Sequence, residues 1–229
     1  MTATNTSGLP TGFPGLVRPP SKDAARPNGE GGHHRIGRAG IISETHGRET
    51  GLWTGRGELF GTITVGGEGF RTGQQILDAL ACEKICVGDC AMKILGQLGA
   101  THCNGCEERV ELVCLRPKDV GFHGGALLRE FYEHVQGPKI GLCCCPAETA
   151  ALLLLSHLCD TIPMGAILLT GMEAIGDIRG EPGILGVACD SNRGRGRGPG
   201  LMLRTFGGFP HTIFPASQRF LFVSPAFCG

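Results

Sequence analysis

The chain has 229 residues and no formal net charge, because 21 Lys and Arg balance 21 Asp and Glu. Its longest apolar run, Ala150–Leu155, is far shorter than the roughly 20 residues of a transmembrane helix, so we expect no membrane span. The first 20 residues are polar and interrupted by Gly and Pro, and we therefore expect no signal peptide and no secretion.

Opposite charges occupy different parts of the sequence. Residues 1–57 carry seven basic and four acidic side chains, residues 58–190 carry nine and seventeen, and residues 191–229 carry five and none. The three segments therefore have net charges of +3, −8 and +5. An acidic middle between two basic segments predicts that the segments bind an acidic protein surface or nucleic acid.

The composition divides the chain at the same places. Residues 1–57 are rich in Gly and Pro and predict an extended arm, whereas 58–190 hold most of the apolar residues and predict a compact core. Strands that alternate with helices in this core predict an α/β or α+β fold, a mixed layer with βαβ-type crossovers. Residues 191–229 predict a basic Arg/Gly-rich tail with short strands.

The predicted elements follow from hydrophobic periodicity and from helix-start signals. Thr72 and Gln75 have the spacing of a capping box, T-x-x-Q. In chain order we expect strand Leu59–Val65, a helix from this box to about Leu98 with a break near Gly88, strand Val110–Leu115, helix Ala126–Val135, strand Lys139–Cys144, a helix from Pro146 to about Leu158, strands Ala166–Thr170 and Ile184–Ala188, and short strands Leu201–Phe206 and Phe220–Val223 at an edge or on a partner.

Cysteine is frequent, with 12 residues, and without an export signal these predict thiols or metal ligands in a reducing compartment. Cys103 and Cys106 enclose an Asn-Gly turn, and Cys114 or His123 would complete a tetrahedral zinc site. Zinc is therefore the predicted metal. The alternative is a simple turn with reduced thiols beside it.

Two other cysteine groups have a plainer interpretation. Cys82, Cys86 and Cys90 recur every four residues and would form one ridge of the predicted helix, at the margin of the core. Residues 143–145 are three consecutive cysteines before a helix, where the helix dipole would make Cys145 reactive. The alternative is a buried strand rich in cysteine.

Two short segments resemble peptidase motifs. Gly88-Asp89-Cys90-Ala91, a turn into a helix that begins with Cys, resembles the nucleophile region of viral papain-like leader proteases, which cut after Gly. This resemblance implies self-release at Cys228-Gly229, with Cys90 as nucleophile and His157 or His211 as base.

The second segment, Gly165–Ala188, resembles the nucleophile-strand region of caspase-like CHAT peptidases. His123-Gly124 would correspond to the His-Gly of that family. The nucleophile position is Met172, so this resemblance implies a catalytically inactive caspase-like sheet. We assign the chain to neither family.

The acid-free C-terminal segment mixes arginine with phenylalanine. Arg193, Arg195, Arg197 and Arg204 precede or accompany several Phe side chains. Such a mixture binds phosphates and stacks on bases, and it equally suits an acidic patch on a neighbouring subunit. The plain alternative is a solvated linker.

No motif for phosphate binding, metalloprotease chemistry or a nucleophile elbow occurs in the sequence. The sequence therefore predicts a non-enzymatic structural or interaction protein that assembles through its arms with itself or with a larger, capsid-like particle, in the cytoplasm or on a particle made there. Homo-oligomers are the expected partners, and nucleic acid is the other. The alternatives are the self-releasing cysteine peptidase and a zinc-stabilised nucleic-acid-binding protein.

Overall fold

The computed structural model of the chain describes residues 57–99, 107–160, 162–190 and 200–225. The predicted arm lies outside these residues, apart from Gly57. The described elements are β1 (Glu58–Val65), α1 (Gly73–Cys82), β2 (Cys86–Val87), α2 (Asp89–Gln97), β3 (Glu108–Leu115), β4 (Ala126–Leu127), α3 (Leu128–Gln136), α4 (Thr149–Leu155), β5 (Ile167–Thr170), β6 (Ile175–Gly176), β7 (Pro182–Cys189), β8 (Leu201–Gly207), β9 (Ile213–Phe214) and β10 (Arg219–Val223).

A mixed sheet of 8 strands organises the fold and confirms the predicted mixture of strands and helices. Its order is β1-β3-β10-β5-β7-β8-β2, with β6 paired to β7, while β4 and β9 form a separate small sheet. The pairs β10–β5 and β2–β8 are parallel, and the other pairs of the large sheet are antiparallel. Within the described residues, no helix is both long enough and apolar enough to cross a bilayer.

Helices cover both faces of the sheet. Phe131 of α3 packs against Phe220 and Phe222, whose rings lie 5.0 and 5.8 Å away, and these alternate residues of β10 share one face. On the other face, α4 contacts β1, β7 and β8, and α1 packs against both α2 and α4. The core therefore has two apolar layers with β10, β5 and β7 between them.

The predicted helix 72–98 is two helices joined by a short strand. Its capping box is confirmed, because the Thr72 hydroxyl accepts from Gln75 N and the Gln75 side chain accepts from Thr72 N. α1 ends in a Schellman arrangement, in which Lys84 is left-handed with φ 58°, and Lys84 N and Ile85 N donate to Ala81 O and Leu80 O. The chain then enters β2, so Cys82, Cys86 and Cys90 lie on three elements, and the prediction of one helical ridge is wrong.

The predicted strand 139–144 is also wrong. Residues 137–142 form a turn in which Gly141 is left-handed with φ 71° and its N–H donates to Gly137 O. Leu142 N likewise donates to Val135 O at the end of α3, so these donors do not join a ladder. A single bridge, Cys143 to Val223, connects the segment to the sheet.

The last strand lies inside the sheet instead of at its edge. The predicted edge strand Phe220–Val223 belongs to β10, which pairs with β3 on one side and β5 on the other. All four of these side chains are buried, with exposed fractions of 0–3%. An apolar run without polar alternation is what a strand covered on both faces requires.

Candidate functional site

A cavity of about 330 Å³ lies where α2 begins. It is lined by residues 88–91 at the start of α2, by the turn between β6 and β7, and by residues 204–207 of β8 together with Phe209. We call it the α2 cavity. It contains two residues that the sequence analysis singled out for different reasons, Cys90 and Arg204.

The parallel pair β2–β8 places this cavity. Cys86 and Val87 lie beside Met202 and Leu203, and Gly88 N donates to Leu203 O at 2.9 Å. The first turn of α2 therefore follows the carboxyl end of β2 and starts beside the middle of β8. In sheets flanked by helices, ligands commonly bind beyond the carboxyl ends of strands.

A tight turn forms the opposite wall. The Asp177 carboxylate accepts hydrogen bonds from Arg179 N at 2.7 Å and Glu181 N at 3.1 Å. The Arg179 guanidinium lies 3.6 Å from Asp177 and 3.3 Å from Glu181. The backbone hydrogen bond from Arg179, with help from the guanidinium charge, holds the pKa of Asp177 below its usual value. Asp177 is therefore an ionised and well-held carboxylate.

This carboxylate determines the chemistry of Cys90. The neighbouring Asp177 carboxylate, more than desolvation, raises the pKa of the Cys90 thiol. A nucleophilic cysteine needs the opposite shift and a nearby base. In the described residues, no histidine lines the cavity. The arrangement therefore does not favour Cys90 as a nucleophile.

The two candidate bases lie elsewhere. His157 is exposed, and its Nδ1 lies 3.5 Å from Asp160 Oδ2. The His211 ring is 5.4 Å from that of Phe209, a residue of the cavity wall, but His211 does not line the cavity.

Arg204 differs from the other cation of the cavity. Its side chain is exposed, and within the described part of the chain it makes no ion pair and no hydrogen bond. Phe206 and Phe209, both half-buried, lie beside it in the lining. Arg193, Arg195 and Arg197 lie outside the described residues, so the structure does not relate them to Arg204.

The predicted zinc site is only partly visible. Cys103 and Cys106 lie outside the described residues. Cys114 is buried in β3, where Arg219 Nε donates to its sulfur at 3.4 Å and burial raises its pKa, while His123 is exposed in the turn before β4. The described residues contain no group of three or more His, Cys, Asp or Glu placed to bind a metal. The zinc site stays a prediction.

The consecutive cysteines before α4 are not activated. Burial raises the pKa of Cys144 to about 11 and that of Cys145 further, and the Cys145 thiol donates to Leu221 O. Because α4 begins at Thr149, Cys145 lies outside its first turn. Cys143 takes part in a disulfide bond, which differs from the expectation of thiols or metal ligands.

The segment that resembles caspase-like peptidases forms β5, β6 and most of β7. Met172 is buried after β5, and its sulfur accepts a hydrogen bond from Leu185 N at 3.3 Å. It therefore has a packing role at the predicted nucleophile position.

Sequence reasoning missed the β6–β7 turn. Its one local signal is Asp177 followed three residues later by Gly180, which is left-handed with φ 76°. Nothing in this pattern indicates that Asp177 meets Cys90, which lies 87 positions earlier in the chain.

No known protein family, no curated protein and no solved structure matches this chain.

Proposed function

We propose that this chain is a non-enzymatic assembly protein that associates with copies of itself, in the cytoplasm or on a particle assembled there. Its basic segments would bind the acidic core of a neighbouring copy. The observation that carries this proposal is the way the fold attaches the basic segment 191–199 to the acidic core.

The sequence predicts that this segment begins a tail. In the structure, however, the residues on either side of it, Asp190 and Gly200, are hydrogen-bonded to each other at the end of the β7–β8 pair. β7 and β8 are antiparallel neighbours that pair from Gly183–Gly207 to Cys189–Leu201, and Asp190 N donates to Gly200 O at 2.9 Å. Residues 191–199 therefore leave and re-enter the sheet at one point. This connection contains three arginines and no acid, and its positive charge is therefore tethered to the Asp190–Gly200 end of the β7–β8 pair.

The core offers acidic groups to such a segment. The exposed acids Glu83, Glu130 and Glu173 have no ion-pair partner within the described residues. Attraction between exposed charges is weak for one pair and grows when several charges act together. It also weakens at high salt, because the Debye length falls from about 10 Å at 0.1 M to about 3 Å at 1 M.

The first test is light scattering coupled to size-exclusion chromatography, on the full chain, at about 50 mM and about 1 M salt. We expect an oligomer at low salt that dissociates at high salt. A monomer at both salts contradicts the proposal. Retention of DNA or RNA by a chain that stays monomeric would favour the nucleic-acid-binding alternative.

Charge variants make the test specific. The triple variant Arg193→Gln, Arg195→Gln and Arg197→Gln should be monomeric at low salt. The matched control replaces Lys118, Arg129 and Lys139, three exposed cations of the described core, by Gln. The control removes the same charge but makes the core more acidic, so it should associate at least as well as the natural chain. Equal loss of association in both variants would contradict docking through residues 191–199.

A further inference from the structure

We propose that the α2 cavity binds a small carboxylate that carries an apolar body, with Arg204 as the group that anchors the carboxylate. This inference is independent of the proposed assembly. It rests on which charges in the cavity are already satisfied and on the side chains beside them.

The cavity is lined by two arginines and three acids, so any anion must bind at a cation that these acids leave unpaired. The charge of Arg179 is already shared by Asp177 and Glu181, at 3.6 and 3.3 Å. Arg204 has no partner within the described residues, and it is the cation left to bind an anion. Because the acids Asp89, Asp177 and Glu181 also line the cavity, a dianion such as phosphate would be repelled more strongly than a monocarboxylate.

The geometry of arginine suits this ligand. A guanidinium presents parallel N–H donors that match the two oxygens of a carboxylate.

The remaining walls are apolar. Phe206 and Phe209 are half-buried, and the Ile178 side chain is 56% exposed although it lies in the lining. A volume of about 330 Å³ lies within the range of small-molecule sites, which typically combine apolar walls with a few polar anchors. Covering these side chains would add to the affinity of an aryl or alkyl carboxylate, but not to that of acetate.

The experiment is an NMR titration of the ¹⁵N-labelled full chain with benzoate, and in separate arms with benzamide, acetate and inorganic phosphate. We expect benzoate to shift amide signals of residues 88–91, 177–181 and 204–209, and to bind at least about tenfold more tightly than each of the other three. Equal binding of benzamide would contradict the role of charge. Acetate resembles the carboxylate of an Asp or Glu side chain without an apolar body. Equal binding of acetate would therefore overturn the requirement for an apolar body and would point to an acidic side chain of a partner.

Two variants complete the test. Arg204→Gln should weaken benzoate binding at least about tenfold, whereas Arg129→Gln, at an exposed arginine of α3, should leave it unchanged. Arg204→Lys keeps the charge without the paired donors and should give an intermediate affinity. A well-dispersed spectrum of each variant shows that it is folded. Unchanged benzoate affinity in a folded Arg204→Gln variant, or shifts confined to other regions, would overturn the proposal.

Discussion

Glu148 is a buried acid that the fold disfavours in its charged form. It precedes α4, its side chain is 2% exposed, and its Oε2 has no hydrogen-bond partner within the described residues. Burial raises its pKa to about 7. The sequence shows this residue only as an acid near a helix start, where it would be a favourable surface charge, because burial depends on packing that no local pattern encodes.

This burial makes stability depend on pH. The folded-state pKa lies above the unfolded value, so the contribution of Glu148 is full below about pH 4.5 and is lost as the pH rises towards 7. A shift of this size corresponds to about 3 kcal/mol. We expect Glu148→Gln to remove that loss, so that the free energy of unfolding of the natural chain, relative to the variant, falls by about 3 kcal/mol between pH 4.5 and pH 8.

Urea unfolding of both chains at the two pH values measures this difference. Glu133→Gln is the control, because the Glu133 side chain is 70% exposed and its pH response should follow that of the natural chain. Parallel pH profiles for the natural chain and Glu148→Gln would rule out Glu148 as the source.

The contact between α1 and α2 depends on a glycine. A Cβ atom added at Gly73 would overlap the Leu95 carbonyl oxygen, and Gly73 N donates to Leu98 O at 2.9 Å, so the start of α1 lies directly against the end of α2. Backbone cannot move aside as the end of a flexible side chain can. Gly73→Ala should therefore destabilise the protein by about 1–3 kcal/mol, as overpacked core positions do.

Gly96 provides the matched comparison within α2. A Cβ atom there would meet no atom within 4 Å, and the residue is exposed. Gly96→Ala should stabilise the protein by about 0.5–1 kcal/mol, because alanine loses less conformational entropy in a helix. Thermal unfolding of the two variants should thus move in opposite directions. A stability gain at both positions would contradict the close helix contact.

Local signals predicted these helices unevenly. The sequence predicted the Thr72 capping box correctly, because its two residues lie three positions apart and contact each other. The end of α1 could not be predicted from the sequence, since Lys84 occupies the left-handed position where glycine is usual. The apolar stripe of the sequence continued across this break, and periodicity alone joined two helices into one.

The arrangement of the sheet was beyond sequence reasoning for a related reason. Most strands were located, but the order β3-β10-β5 joins segments about 50 to 110 residues apart, and no residue pattern specifies such pairing. The cavity has the same origin. Cys90 and Arg204 were each singled out, for catalysis and for partner binding, yet only the parallel pair β2–β8 brings their segments together.

The central place of β10 changes what can be removed from the chain. A chain that ends at Asp190 would lack β8 and β10, including the buried Phe220, Leu221, Phe222 and Val223. Four such side chains contribute at least about 6 kcal/mol of apolar burial, which is comparable with the whole stability of a typical domain. We therefore expect this truncated chain to show no cooperative thermal transition in circular dichroism, and a cooperative transition would show that residues 58–190 are a sufficient core.

Residues 191–199 should be dispensable for folding in contrast. Because Asp190 and Gly200 are already hydrogen-bonded, the two residues Asn-Gly can close β7 and β8 as a tight hairpin in place of this segment. The shortened chain should keep the circular dichroism spectrum and unfold within a few degrees of the natural chain, since it keeps every contact between the described residues. It should also stay monomeric at low salt if the segment carries assembly. A folded, shortened chain that still associates would separate the two properties and assign assembly to another surface.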